Sequence, residues 1–235
     1  MFIIYEDTYL LVVNKPSGLV VNRTSTWKGG TLEDELREYL DIEGEGTGGR
    51  AGIVHRLDKD TSGLLLVAKE EGVFEDLTEQ FKRRETKKIY LGLAYGRVEP
   101  REGLINAPIA RNPKNRRKMA VVEGGRHSET YFEVRDYFKK DKRDFTFLEL
   151  RPETGRTHQL RVHLAAFNHP LVGDTIYSGQ KRTRKDADLF PRLFLHARFL
   201  GFWHPVQDDW VEYEAPLPEE LGQVLDNLEY CKSAG

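Results

Sequence analysis

Apolar positions along this chain alternate between a spacing of two and a spacing of three to four, and each change of spacing marks a change of element. Phe2 to Tyr5 and Leu10 to Asn14 predict a pair of strands joined at Glu6-Asp7, and Lys15-Pro16-Ser17-Gly18 ends the second with turn residues. Thr31 followed by Asp34 has the form of a capping box and predicts a helix through Leu40, with acidic side chains near its positive end. Leu64 to Lys69 is continuously apolar and predicts a strand buried on both faces. Phe74, Leu77 and Phe81 then give a helix one apolar stripe. Strands are expected at Ile89 to Tyr95, Thr130 to Phe138, Asp144 to Arg151 and Phe194 to Trp203. Thr157 is placed to cap a helix running to about Phe167, with Leu160, Leu164 and Phe167 on its core side. Pro218 sits where a first helical position belongs, ahead of a stripe made by Leu221, Val224, Leu225 and Leu228.

Strands outnumber helices and do not alternate regularly with them, so the fold class is α+β and not a doubly wound parallel sheet. Gly44 to Gly52 holds five glycines but is too short to divide the chain. The expectation is one domain over residues 1–235, with the segment 218–231 supplying a C-terminal helix packed on it.

Composition narrows the class. With 39% hydrophobic and 31% charged residues, a chain of 235 residues can bury a sizeable core. The apolar runs, such as Leu64 to Ala68, are far too short to span a bilayer. The N-terminus lacks the basic-then-apolar pattern of a secretory signal. Cys231 is the only cysteine, which rules out an internal disulfide and suits a reducing cytoplasm.

A formal net charge of -2 hides an uneven distribution. The run from Arg111 through Arg116, Arg117 and Lys118 carries five positive charges and no negative one. Lys82 to Lys88 carries five positive against one negative, and Lys181 to Lys185 carries four against none. Acidic residues gather at Glu33 to Glu35 and from Asp208 to Glu229. Two readings stand: a basic face that grips phosphates, or solvated loops and helix faces.

The most informative stretch is Gly52-Ile53-Val54-His55-Arg56-Leu57-Asp58-Lys59-Asp60-Thr61-Ser62-Gly63. It sets two carboxylates, cations, a histidine and hydroxyls beside a strand expected to be buried, where each ionisable group needs a partner. Asp60-Thr61-Ser62-Gly63 is good turn chemistry, so Asp60 reads as a turn residue. His55 to Asp58 calls for a functional reading.

His55-Arg56-Leu57-Asp58 followed by Thr61-Ser62-Gly63 resembles the catalytic motif of the RluA family of RNA pseudouridine synthases. Lys87-Lys88-Ile89-Tyr90-Leu91-Gly92-Leu93 resembles that family's tyrosine-bearing strand. Thr154-Gly155-Arg156-Thr157-His158-Gln159-Leu160-Arg161-Val162-His163-Leu164, continuing to His169-Pro170-Leu171-Val172-Gly173-Asp174, resembles its arginine-bearing helix and following loop. Asn14 to Gly18 and Leu195-His196-Ala197 also match, so the resemblance runs in order from about Phe2 to about Pro218.

The resemblance implies a pseudouridine-synthase fold: a mixed, mostly antiparallel curved sheet flanked by helices, with a catalytic cleft across it. It implies Asp58 as the catalytic aspartate, Tyr90 as the active-site tyrosine and Arg161 as the basic residue facing the aspartate. Arg56 corresponds to the side chain that takes the place of the flipped base. His55, Thr61, Arg156 and His158 are the further expected substrate contacts, and Arg116, Arg117 and Lys118 the expected phosphate contacts. Many family members carry a small RNA-binding domain ahead of the catalytic one, and this chain begins directly with the catalytic part. The expectation is that the catalytic surface itself grips a stem-loop of ribosomal or transfer RNA, as a cytoplasmic monomer off the membrane.

The chemistry suits these residue types. Isomerising uridine breaks the bond from ribose C1′ to uracil N1 and remakes it to C5, with no redox change and no external donor, so no cofactor is expected. A carboxylate can attack C1′ covalently or assist loss of the C2′ proton to give a glycal, and the sequence leaves both routes open. Asp58 must be ionised in a partly dry pocket, and a fixed guanidinium, assigned to Arg161, keeps it so. The competing reading of Arg161 is a surface salt bridge, and that of Tyr90 a core tyrosine. His158 and His163 are five apart and do not share a helix face, and HExxH and CxxC patterns are missing, so no metal is expected. Two other functions remain open: a hydrolase of N-glycosidic bonds, which needs a second carboxylate to activate water, and an RNA-binding module without catalysis.

Overall fold

The computed structural model describes residues 1–25, 27–44, 46–116 and 118–231. In chain order the strands are β1 (Phe2–Glu6), β2 (Leu10–Lys15), β3 (Ser62–Ala68), β4 (Lys87–Tyr95), β5 (Glu102–Asn106) and β6 (Ile109–Arg111). They continue with β7 (Met119–Val121), β8 (Glu129–Lys140), β9 (Arg143–Pro152), β10 (Leu195–Trp203), β11 (Trp210–Glu214) and β12 (Glu229–Cys231). The helices are α1 (Leu32–Tyr39), α2 (Glu71–Arg83), α3 (Gln159–Ala166), α4 (Gln180–Lys185) and α5 (Glu219–Asp226). The predicted α+β class is what the chain adopts. Its backbone clusters into two units, Met1–Lys88 with Ala197–Pro216, and Ile89–His196 with Leu217–Gly235.

In the first unit, β3 is buried at every position, as its continuous apolar run predicts. It pairs antiparallel with β2, Leu10 opposite Ala68, and β2 pairs with β1. Leu10, Val12, Leu64 and Leu66 share a core with Val73 and Leu77 of α2 and with Leu200 and Phe202 of β10. Each fully buried leucine here contributes about 1.5–3 kcal/mol. Gln80 of α2 is tied to the end of β10, donating to the Trp203 carbonyl and accepting the Trp203 N–H. Helix α1 forms with the predicted cap: Thr31 accepts the Asp34 N–H, and the Asp34 carboxylate accepts the Thr31 N–H. Gly63 is required where it stands, because a Cβ would lie 2.2 Å from the Ala197 carbonyl oxygen.

In the second unit, β4 pairs antiparallel with β9, β9 with β8, and β8 with both β5 and β12. Phe132, Leu148 and Leu150 pack against Leu160 and Leu164 of α3. Leu221, Val224 and Leu228 pack with Phe145 and Phe194, so the apolar stripe of α5 is buried within this unit. Strands β6 and β7 form a separate short ladder.

Three local expectations are corrected. Helix α3 starts at Gln159, not after a Thr157 cap; His158 takes the cap position in the left-handed region and Thr157 is exposed. The buried Gln159 side chain ties the preceding loop to the first turn, accepting the Arg156 N–H and the Thr154 hydroxyl. Phe167, expected on the core side, lies exposed beyond the helix end. The C-terminal helix is shorter than expected at both ends: Pro218 caps α5 and does not begin it, since its extended ψ of 141° lies outside helical geometry, and residues 229–231 leave the helix to pair as β12 with β8.

Candidate active site

The first unit carries Asp58 at the head of a turn. The Thr61 N–H donates to the Asp58 carbonyl at 3.2 Å, closing residues 58–61 into a turn that delivers the chain to β3. Three bonds from the end of β2 and the segment after it clamp this turn. Gly18 N–H donates to the Lys59 carbonyl, the Ser17 hydroxyl to the Asp60 carbonyl, and the Lys15 ammonium to the Lys59 carbonyl. Lys15 is 0% exposed and also donates to the carbonyls of Pro16 and Leu19. The two sequence segments 14–18 and 58–63 therefore form one hydrogen-bonded body. Asp60 is the turn residue its neighbours predict.

His55 fixes the other side of the motif. Its Nε2 accepts the Leu66 N–H at 3.1 Å, and its ring stacks on Phe81 at 4.6 Å. Burial and the Lys88 ammonium push its pKa down to about 3, so the imidazole is neutral and its Nε2 lone pair stays available to the strand. Thr61 is buried, Asp58 half-buried and Arg56 exposed. Near the turn, the Lys59 ammonium lies 4.5 Å from the Trp27 ring centroid, a cation–π contact at the surface.

The second unit carries Tyr90 and Arg161. Tyr90 stands half-buried on β4 opposite Leu150 and packs against the core of Phe132 and Leu148. Arg161 is 2% exposed on a helix whose residues from Gln159 to Leu164 are all buried. The amphipathic reading of this helix, with one polar side, is thus replaced by burial all round, and the surface-salt-bridge reading of Arg161 is removed. Its Nε and Nη2 donate to the two carboxylate oxygens of Asp174 at 2.8 and 2.9 Å, a bidentate buried pair. Asp174 also accepts the N–H groups of Ile176 and Tyr177. Gly173 makes that turn possible: its φ is 68°, and a Cβ would meet the Arg192 carbonyl oxygen at 1.9 Å.

The remaining expected contacts of this unit lie around α3 and the β6–β7 ladder. Arg156 is half-buried and donates to the His127 carbonyl, while His158 Nδ1 sits 2.8 Å from the Tyr177 hydroxyl. Arg116 is exposed, Lys118 donates to the Ile176 carbonyl, and Arg117 lies outside the described residues. His163 is buried between Thr130 and the Ala107 carbonyl, and burial holds its pKa below the usual range. Among the described residues, no three His, Cys, Asp or Glu side chains gather into a metal-holding group. Sequence reasoning assigned no role to Lys15, Asp174 or Tyr177. The first two stand inside matched segments, and nothing in the spacing names the partners of the third.

Residues 9–166 match the family described as RNA pseudouridylate synthase. The chain belongs to that family. A Bacillus subtilis protein described as an uncharacterized RNA pseudouridine synthase, YlyB, is 43% identical to this pseudouridine synthase over 227 residues, covering 96% of this chain and 72% of its own. Ribosomal large subunit pseudouridine synthase D of Pseudomonas aeruginosa is 40% identical over 241 residues, covering 99% of this chain and 73% of its own. The solved structure of human RNA pseudouridylate synthase domain containing 1 superimposes with a TM-score of 0.77 at 29% identity, covering 98% of this chain and 88% of that one. The fold is therefore the pseudouridine-synthase fold, and the reaction is isomerisation of uridine to pseudouridine in RNA. None of the helices described is long and apolar enough to cross a membrane.

Proposed function

We propose that this pseudouridine synthase acts on large-subunit ribosomal RNA, with Asp58 as the attacking carboxylate and Tyr90 and Arg161 completing the catalytic set in a single catalytic domain. The observation that carries the reading is the clamped turn: Asp58 is the first residue of a loop whose main chain is fixed by Lys15, Gly18 and Ser17. A carboxylate so held can meet the ribose of an extruded nucleotide without reorganising its backbone. Extrusion costs roughly a few kcal/mol, part of which a long exposed side chain such as Arg56 recovers by filling the gap.

The electrons balance within the substrate. The C1′–N1 bond breaks as Asp58 either takes C1′ covalently or assists loss of the C2′ proton to a glycal. Uracil turns within the pocket and C5 bonds to C1′ as the Asp58–C1′ bond breaks or, on the glycal route, as the proton returns to C2′; the C5 proton is then lost to a base while N1 gains one. The Tyr90 ring stacks on the uracil, and its hydroxyl is suited to receive or relay that proton. Arg161 supplies the fixed positive charge of the catalytic set. Arg156, His158 and Thr61 contact substrate, Arg116, Arg117 and Lys118 contact phosphates, and the protein works as a cytoplasmic monomer. The ribosomal assignment is supported by relatives named ribosomal large subunit pseudouridine synthase D.

The test is an unmodified large-subunit ribosomal RNA transcript incubated with the protein and mapped for pseudouridine. Discrete new pseudouridines with no free uracil are expected. Free uracil with an abasic sugar would identify a hydrolase, and binding without either product would identify a binding module. Affinity should fall with salt, each phosphate contact adding about 0.7 to the log–log slope on single strands.

A further inference from the structure

The segment after Asp174 carries a side chain that the reaction as described does not use. The Tyr177 hydroxyl accepts the Met119 N–H at 3.0 Å, at the first residue of β7. The same oxygen lies 2.8 Å from His158 Nδ1, at the cap of α3, and the two rings meet edge to face. The oxygen accepts from Met119 and keeps its own proton, so its bond with His158 Nδ1 runs in either direction according to the imidazole tautomer. The Tyr177 ring centroid is 5.3 Å from the guanidinium carbon of Arg161. The Tyr177 backbone N–H binds Asp174, the carboxylate that also holds Arg161. Lys118, one residue before β7, donates to the carbonyl of Ile176 beside it. One half-buried tyrosine thus touches the end of the basic turn between β6 and β7, the start of α3, and the guanidinium itself.

We propose that Tyr177 is a positioning residue for pseudouridine formation, its hydroxyl tethering the basic β6–β7 turn to α3 and its ring holding Arg161. The proposal rests on the catalytic role given to Arg161 above. Its two parts are separable by chemistry. A tether at the hydroxyl fixes where Lys114, Arg116 and Lys118 present charge to RNA, so its loss weakens substrate binding. A ring face against a guanidinium restricts that group's orientation through cation–π attraction, so its loss slows the chemical step.

The experiment measures kcat and KM on the ribosomal RNA transcript for Tyr177→Phe and Tyr177→Leu, with thermal melts of each. Tyr177→Phe keeps the ring and should raise KM by about fivefold with kcat within twofold. Tyr177→Leu removes both and should also lower kcat by about tenfold or more. Lys114→Ala with Arg116→Ala should raise KM in the parent protein but have little further effect alongside Tyr177→Phe, because the tether that aims those charges is already gone. Unchanged kcat and KM in Tyr177→Phe, or hairpin and tyrosine effects that simply add, would overturn the proposal and leave a packing role. Asp58→Asn assayed in parallel keeps the two readings apart: activity surviving that change sinks the catalytic assignment, whereas a silent Tyr177→Phe with an inactive Asp58→Asn sinks only the tether.

Discussion

Asp58 stands at the head of a turn held through its main chain, by neutral hydrogen bonds and one buried ammonium. Arg161 lies inside a helix and is held through its side chain, by a carboxylate with no exposed surface. The first arrangement positions the residue through backbone carbonyls, so the bonds that fix the turn do not draw on the side chain. The second spends part of the guanidinium's hydrogen-bonding capacity on its own support, leaving the rest for other partners. A turn partly withstands loss of one clamp because the others persist. A buried ion pair does not, since removing one partner strands the other charge.

The largest effect should come from breaking the ion pair. Asp174→Leu is expected to cost about 3–5 kcal/mol in urea denaturation and to abolish turnover, because the buried Arg161 loses its bidentate carboxylate. A loss under 1 kcal/mol would show that the helix, and not the carboxylate, holds Arg161. Lys15→Met should cost about 2–3 kcal/mol, as the carbonyls of Pro16 and Leu19 lose a buried donor, and should slow turnover by loosening the Asp58 turn. Full activity in that variant would mean that Gly18 and Ser17 suffice.

A pH profile of stability probes the His55 side of the same loop. Unfolded His55 takes up a proton near pH 6.5, while folded His55 stays neutral down to about 3. Its contribution is therefore whole above pH 6.5 and is lost as pH falls, by up to about 1.4 kcal/mol per unit from this one group. Between pH 6.5 and 4.5 the carboxylates whose pKa values lie below their ordinary range contribute little, so histidines dominate the slope there. His55→Phe should flatten the slope, with the smaller share of buried His163 remaining; an unchanged slope would place the pH dependence elsewhere. The smallest effect is expected from Ser17→Ala, which removes one bond to Asp60 and should cost about 1 kcal/mol by denaturation. A loss as large as that of Lys15→Met would mean that the clamps fail together.

The difference between the two regions also explains what could be read from the sequence. Turn chemistry is local, so Asp60-Thr61-Ser62-Gly63 and the Thr31–Asp34 capping box declare themselves within four residues. The buried strand β3 does so by its unbroken apolar run. The partner of Arg161 lies thirteen residues on, across a helix end and a loop, and no periodicity links them. Lys15 reads as a turn residue, and only the fold makes it a buried clamp on a segment 44 residues away. Helix α4 and the short strands β5 to β7 and β11 escaped prediction because their stretches are brief or uniformly polar, and residues 229–231 were assigned to the C-terminal helix because the apolar stripe runs on to Leu228. The start of α3 was misplaced because the chain enters it through a left-handed His158 and a buried Gln159 network, neither of which the local sequence declares.

The account turns on the Asp58 carboxylate acting on the sugar, and the most direct measurement is the single-turnover rate of pseudouridine formation by Asp58→Asn. The change keeps size and hydrogen-bonding shape while removing the charge. A rate at least about a thousandfold slower, equivalent to about 4 kcal/mol of transition-state stabilisation, with melting temperature and RNA affinity unchanged, is the expected result. Pseudouridine formed at the parent rate by a folded Asp58→Asn protein would contradict it.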